Sequence, residues 1–225
     1  MKTKPPQVHW EPNPTRVPWI LWGVLLVVAG IIGMGELYWI KRAHRDSTPP
    51  LPVLTTVPDF SFTTETGATI TKKSLLGKIW IADFIFTRCA GPCPLMTEKM
   101  RQIQTASRNL DRGNIQLLSV TVDPTYDTPE VLARYGGKIG SNPDHWSFAT
   151  GEPEKIEQFI TKGMLLGLSK DGEGMPVHAQ KFVVVDREGY VRAYHDLGDA
   201  AVLQDVIADI DKLSREKHTP RKKKP

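Results

Sequence analysis

An α/β sandwich around a mixed sheet, preceded by a single membrane-spanning helix, is the fold class the sequence predicts. Three observations predict it. Val17–Gly35 is an apolar run without a charged residue. Lys78–Phe86 and Ile115–Val122 are near-continuous apolar runs, as expected of strands buried on both faces. Around them, apolar residues recur at three- and four-residue steps, the period of one face of a helix.

In chain order, residues 1–16 read as an N-terminal tail and 17–40 as a transmembrane anchor. A run of ~19 apolar residues at ~1.5 Å rise each just spans a hydrocarbon core. Trp19 and Trp22 stand at one end of it and Tyr38 and Trp39 at the other, where aromatic rings suit the two interfaces. The run is too long for a signal-peptide core and lacks an A-x-A cleavage site, so the anchor reads as uncleaved. Lys2, Lys4 and Arg16 before the span balance Lys41, Arg42 and Arg45 after it, so charge alone leaves its orientation open.

Residues 41–57 read as a linker, extended and rich in Pro, Ser and Thr from Asp46. The folded domain is expected over 58–216. It opens with a short hairpin around "TTETG", followed by the strand at Lys78–Phe86. Met96, Met100, Ile103 and Leu110 then mark a helix, and Ile115–Val122 a second strand. Asp127 can cap the next helix, with Pro129 in its first turn and Glu130 favouring its N-terminal dipole. A short strand "HWSFAT" and a helix "PEKIEQFITKGM" follow. Two strands flank the turn Asp186–Gly189, and Leu203, Val206, Ile207, Ile210 and Leu213 line a closing helix. Residues 217–225 form a basic tail, read as disordered and solvated, with anionic lipid or an acidic partner as alternatives. The net charge of +4 lies mostly at the chain ends, and no interleaved basic and aromatic surface pattern points to nucleic acid.

The chemistry concentrates in "FTRCAGPCPLM", which holds both cysteines of the chain, Cys89 and Cys93. They fall between a buried strand and a helix. Gly91 and Pro92 make the turn, and Pro94 suits the first helical turn. Unpaired backbone N–H groups at a helix start, with Arg88 nearby, are expected to lower a thiol pKa and keep both sulfurs reactive and partly exposed. A purely structural disulfide would close a loop of only a few residues, with little entropic gain. Two readings remain, a redox dithiol or a pair of thiolate ligands for a soft metal such as Cu(I). A redox pair usually has two intervening residues; here three widen the bite.

Among six histidines, His9 and His44 flank the span and His218 lies in the tail, while His145 and His195 read as surface residues. His178 stands just ahead of a buried strand that can lie beside Lys78–Phe86, so its loop can approach the cysteine turn. Met175 is a possible fourth soft ligand but fits better as loop filler. Asp123 and Asp127 read as turn and cap residues rather than a catalytic pair.

Four stretches, "FIFTRCAGPCPLM", "VTVDPTYDTPEVLARYG", "HWSFATG" and "VHAQKFVVVDREGYVRAYHD", resemble the Sco/SenC family over about Pro58 to Lys212. The resemblance implies a thioredoxin-like fold, copper bound by Cys89, Cys93 and His178, and a domain on the periplasmic or outer side of the inner membrane. It also implies delivery of copper to subunit II of cytochrome c oxidase, or reduction of that subunit's cysteines. Ala90, Val177 and Ala179 depart from the usual family residues, but no ligand position is lost. These features describe a metallochaperone rather than an enzyme, with a partner thiol reductase to keep the pair reduced. The alternative is a thiol–disulfide oxidoreductase of the thioredoxin or peroxiredoxin type, which Pro176, near the loop where such proteins often carry a cis-proline, keeps open.

Overall fold

The computed structural model describes residues 19–46, 49–108, 110, 114–170, 176–178 and 180–216. The chain divides into two units, 1–49 and 50–225. In the first, α1 (Trp19–Asp46) is one continuous helix. Its Leu21–Ile40 stretch is long and apolar enough to cross a membrane, a test that an anchor and a signal sequence both pass.

The second unit is an α/β sandwich. It comprises β1 (Thr55–Thr56), β2 (Ser61–Thr64), β3 (Thr69–Thr71), α2 (Lys72–Leu75), β4 (Ile79–Ile85), α3 (Cys93–Ser107), β5 (Ile115–Thr121), α4 (Pro129–Ile139) and β6 (Trp146–Thr150). Then come α5 (Pro153–Gln158), β7 (Leu168–Lys170), β8 (Pro176–His178), β9 (Lys181–Val185), β10 (Tyr190–Asp196) and α6 (Val202–Arg215). The main sheet runs β1-β10-β9-β4-β5-β6-β2-β3, and β7 and β8 pair separately. Strand β4 is parallel to β5, and β5 to β6, while β9 lies antiparallel to β4 with Trp80 opposite Val185.

The two long apolar runs occupy the centre because both faces of the sheet are covered. All seven residues of β4 are buried. Their alternation sends Ile79, Ile81 and Ile85 to one core, against Met96, Met100 and Ile103 of α3 and Val206 and Ile210 of α6. Trp80, Ala82 and Phe84 enter the other core, with Phe62, Ile156, Phe159 and Ile160. The turn between β9 and β10 closes on Gly189 at φ +80°, where a Cβ would meet the Lys72 side chain at 2.9 Å.

Three local expectations change. The helix over "PEKIEQFITKGM" is α only to Gln158, and Phe159–Gly163 widen into a π-helical turn that seats Phe159 and Ile160 in the core. The cap of α4 is Thr128, whose Oγ1 accepts from the Val131 N–H, and not Asp127. Residues 54–57 are extended, as a linker should be, but they join the sheet edge: Leu54 N–H donates to the Val191 carbonyl at 2.9 Å and Val57 N–H to Gly189 at 3.0 Å.

Candidate metal centre

Strand β4 delivers the chain to one end of the sheet, and α3 starts there. Cys89 lies in the connecting turn, half-buried, and Cys93 is the first residue of α3, only 1 % exposed. Pro92 and Pro94 flank it, which suits a first turn whose N–H groups have no helical acceptors. The two reduced sulfurs are hydrogen-bonded to each other.

The expectation that both sulfurs would be partly exposed and of lowered pKa does not hold for Cys93. Burial pushes its thiol up; the hydrogen bond it donates to Cys89 and the nearby Cys89 and Asp83 charges add to this, and a backbone hydrogen bond at Phe86 works against it. The dipole at a helix start cannot offset removal of the sulfur from water. Arg88 adds little positive charge at the sulfurs either. Its guanidinium sits 2.6 Å from Asp123 Oδ2 and 4.1 Å from the centroid of the Tyr126 ring.

Asp127 holds the turn before Cys89. It is fully buried and accepts from the Thr87 N–H at 3.1 Å, from the Thr87 hydroxyl, and from the Thr121 hydroxyl at 2.5 Å. This ties the loop after β4 to the loop after β5. Asp123 keeps its expected turn role, its carbonyl accepting from the N–H groups of Tyr126 and Asp127.

Asp83 escaped the sequence reading altogether. It lies inside β4 at 0 % exposure, on the face of Ile81 and Ile85. Ser119 Oγ donates to its Oδ1 at 2.5 Å and takes a hydrogen bond from Trp146 Nε1 at 2.9 Å. Its Oδ2 is buried without a partner among the described residues. Burial raises its pKa from 3.8 to about 7 against the pull of Ser119. Tyr135, hydrogen-bonded to Thr97 Oγ1 at 2.8 Å, is pushed up to about 12 by burial and by the charges of Asp83, Cys93 and Cys89. Because the folded-state pKa of Asp83 is the higher one, its contribution to stability is fully present below pH ~4 and is lost as pH rises through about 7. Asp83→Asn is expected to be more stable than wild type at pH 8 by about 2 kcal/mol, below the ~4 kcal/mol ceiling because the new amide gains an unpaired donor. Thermal melts at pH 5 and pH 8 check this; equal pH slopes for the two proteins contradict it.

The backbone of His178 ends β8, opposite Leu168 of β7. Three residues later β9 begins, and its antiparallel register places its start at the sheet end where β4 finishes. His178 and the cysteine turn thus enter the sheet from the same end. The His178 side chain and Met175 lie outside the described residues, as does Ala179. Among the described residues no three His, Cys, Asp or Glu side chains converge. His195, expected at the surface, is only 14 % exposed, with Nε2 3.0 Å from Asp209 Oδ2.

The sequence profile of the SCO1/SenC family matches residues 50–215. The chain belongs to the SCO1/SenC family. This SCO1/SenC chain is 32% identical to the SCO1 protein homolog of Bacillus subtilis (strain 168) over 162 residues, covering 70% of itself and 82% of that protein. BsSco, described with a disulfide switch as a member of the Sco family of cytochrome c oxidase assembly proteins, superposes with a TM-score of 0.67 at 29% identity, over 75% of this chain and 99% of BsSco. ScoI of Bradyrhizobium japonicum, solved with copper bound, shares the fold at a TM-score of 0.58 and 23% identity, over 70% of this chain and 99% of its own. The thioredoxin-like fold expected from the sequence is the Sco fold.

Proposed function

We propose that this chain is a copper-binding protein of cytochrome c oxidase assembly. In this reading α1 anchors it in the inner membrane and residues 46–225 face the periplasmic or outer side. Copper is its cargo, held by Cys89, Cys93 and His178 and passed to subunit II of the oxidase. The observation that carries the reading is the pair of hydrogen-bonded, reduced sulfurs where β4 meets α3, in a chain of the SCO1/SenC family. Thiolates are soft donors suited to Cu(I), and an imidazole nitrogen also suits Cu(II), so one site can hold either state. Each thiol gives up its proton when the metal binds, so affinity falls with pH.

The asymmetry of the sulfurs, one half-exposed and one buried, supports a second reading. An accessible sulfur attacking a client disulfide, with its neighbour resolving the mixed disulfide, describes a thiol–disulfide exchange protein. That activity could serve to reduce subunit II before metal arrives, with a separate thiol reductase restoring Cys89 and Cys93.

The test is an anaerobic Cu(I) titration of the reduced full chain in detergent, beside an insulin-reduction assay. One tightly bound Cu(I) per chain with little insulin turnover is expected. Turnover without stoichiometric copper overturns the first reading in favour of the second. A reporter active only in the cytoplasm, fused after Pro225, is expected to stay silent; a strong signal contradicts the orientation.

A further inference from the structure

A carboxyl shares the core of the cysteine pair with one of its two oxygens unused. Asp83 lies between Ile81 and Ile85 on the face of β4 that packs with Cys93, Met96 and the half-buried Cys89. It is 0 % exposed, and its Oδ2 has no partner among the described residues. Asp83 acts on Cys93 through charge and not through a hydrogen bond. The other ionisable groups on this face are already committed. In the loop after β5, Asp127 has both oxygens taken, by the Thr87 N–H and by the hydroxyls of Thr87 and Thr121. On α4, the Tyr135 phenol is hydrogen-bonded to Thr97 Oγ1, and burial keeps its proton on. Between β10 and α6, His195 Nε2 and Asp209 Oδ2 are held to each other at 3.0 Å, with Lys212 Nζ 3.6 Å from Asp209 Oδ1. Of these groups, Asp83 alone has an unoccupied oxygen to receive a proton.

We propose that Asp83 is a proton-binding site linked to copper loading: it takes up a proton when Cu(I) binds Cys89 and Cys93 and gives it back when copper leaves. The inference rests on the copper reading above. Charge balance supplies the reason. Two neutral thiols lose two protons to bind one Cu(I), so the site passes from neutral to an anion of one net charge, with or without a neutral imidazole. An ionised Asp83 would then face that anion across a water-poor core, where a like charge raises a carboxyl's affinity for its proton. At an effective dielectric of ~20, a unit charge even ~10 Å away is worth about tenfold. Burial has already raised the Asp83 pKa to about 7, so near neutral pH that push decides its protonation. The proton balance closes without another reactant. On loading above pH ~7, two protons leave the sulfurs; part of one goes to Asp83 and the rest to solvent. On release, Asp83 returns its share to the emerging thiolates, within a core where Cys93 is 1 % exposed. Only S–H, O–H and Cu–S bonds form or break, and no electron moves.

The experiment titrates the reduced full chain in detergent with Cu(I) in an anaerobic calorimeter, in buffers of different protonation heat, and so counts the protons released per copper. At pH 8, wild type is expected to release about 0.4 proton fewer than Asp83→Asn. At pH 5.5 the two counts are expected to agree, because Asp83 is protonated before copper arrives. Over the same interval, the Cu(I) affinity of Asp83→Asn relative to wild type is expected to grow about fivefold. Ser119→Ala removes the donor that favours the charged carboxylate, and is expected to move the fall in proton count to higher pH. A merely structural Asp83 alters stability and leaves the count alone, so equal counts at pH 8 with one Cu(I) bound to each protein overturn this inference and not the copper reading. If near-ultraviolet circular dichroism shows Asp83→Asn unfolded, Ser119→Ala decides, and a fall at the wild-type pH overturns the inference. Failure of wild type to bind one Cu(I) overturns the copper reading and this inference with it.

Discussion

Cys93→Ser and Cys89→Ser are each expected to weaken Cu(I) binding by more than ~100-fold, beyond the loss typical of a group that only orients a ligand. Each replacement removes one of two soft donors and leaves a hydroxyl that stays protonated and is a poor Cu(I) ligand. The two variants should differ in a second respect. Cys93 is 1 % exposed in the core with Met96 and Met100, so Ser there buries a hydroxyl in place of a thiol and lowers stability as well. Cys89 is half-buried in the turn, and its replacement should leave stability close to wild type. Competition against a chromophoric Cu(I) chelator, with near-ultraviolet circular dichroism to confirm folding, reads both effects. Retention of wild-type affinity by either variant contradicts the two-thiolate site.

Asp127→Ala is expected to destabilise the domain by ~3 kcal/mol. The carboxylate is buried and satisfies the Thr87 N–H and the hydroxyls of Thr87 and Thr121. Its removal strands one buried donor, the Thr121 hydroxyl, and two part-buried ones on Thr87, each costing up to ~1–3 kcal/mol unless water or relaxation reaches it. The same loss frees the turn that carries Cys89, so alkylation of Cys89 in the reduced protein should speed up. Urea unfolding measures the first effect and timed alkylation the second. A shift below ~1 kcal/mol would show that the loop after β4 does not depend on this carboxylate.

Much of the fold was legible because its central strands are buried on both faces. Ile79–Ile85 and Ile115–Thr121 match the two apolar runs within a residue or two, and the helical stripe of Met96, Met100 and Ile103 packs as its spacing implies. The strand after His178 lies beside β4 as expected. The two-residue β1 and the four-residue α2 leave no period to detect, and they form because the sheet edge and a cap supply their hydrogen bonds.

The site was harder to read, since its details are tertiary. Asp127 and Thr128 are both good capping residues, and only the proximity of Thr87 and Thr121 draws the aspartate inward and leaves the threonine to cap. Cys93 sits at a helix start as foreseen, but the rise in its pKa comes from packing that local spacing does not encode. Asp83 carried one usable signal, an acidic residue inside an otherwise apolar strand. Such a residue must be neutral, paired or functional when buried, and Asp83 is half paired, through Oδ1 to Ser119.

The central claim is that one site joins the cysteine turn to His178. The direct measurement is an anaerobic titration of wild type and His178→Ala with Cu(I) and, separately, with Cu(II). His178→Ala is expected to weaken Cu(I) modestly, since both thiolates remain, and to lose stable Cu(II) binding, since two thiolates without the imidazole tend to be oxidised by that ion. If His178→Ala holds both copper states as wild type does, His178 is not a ligand and the three-residue site is wrong.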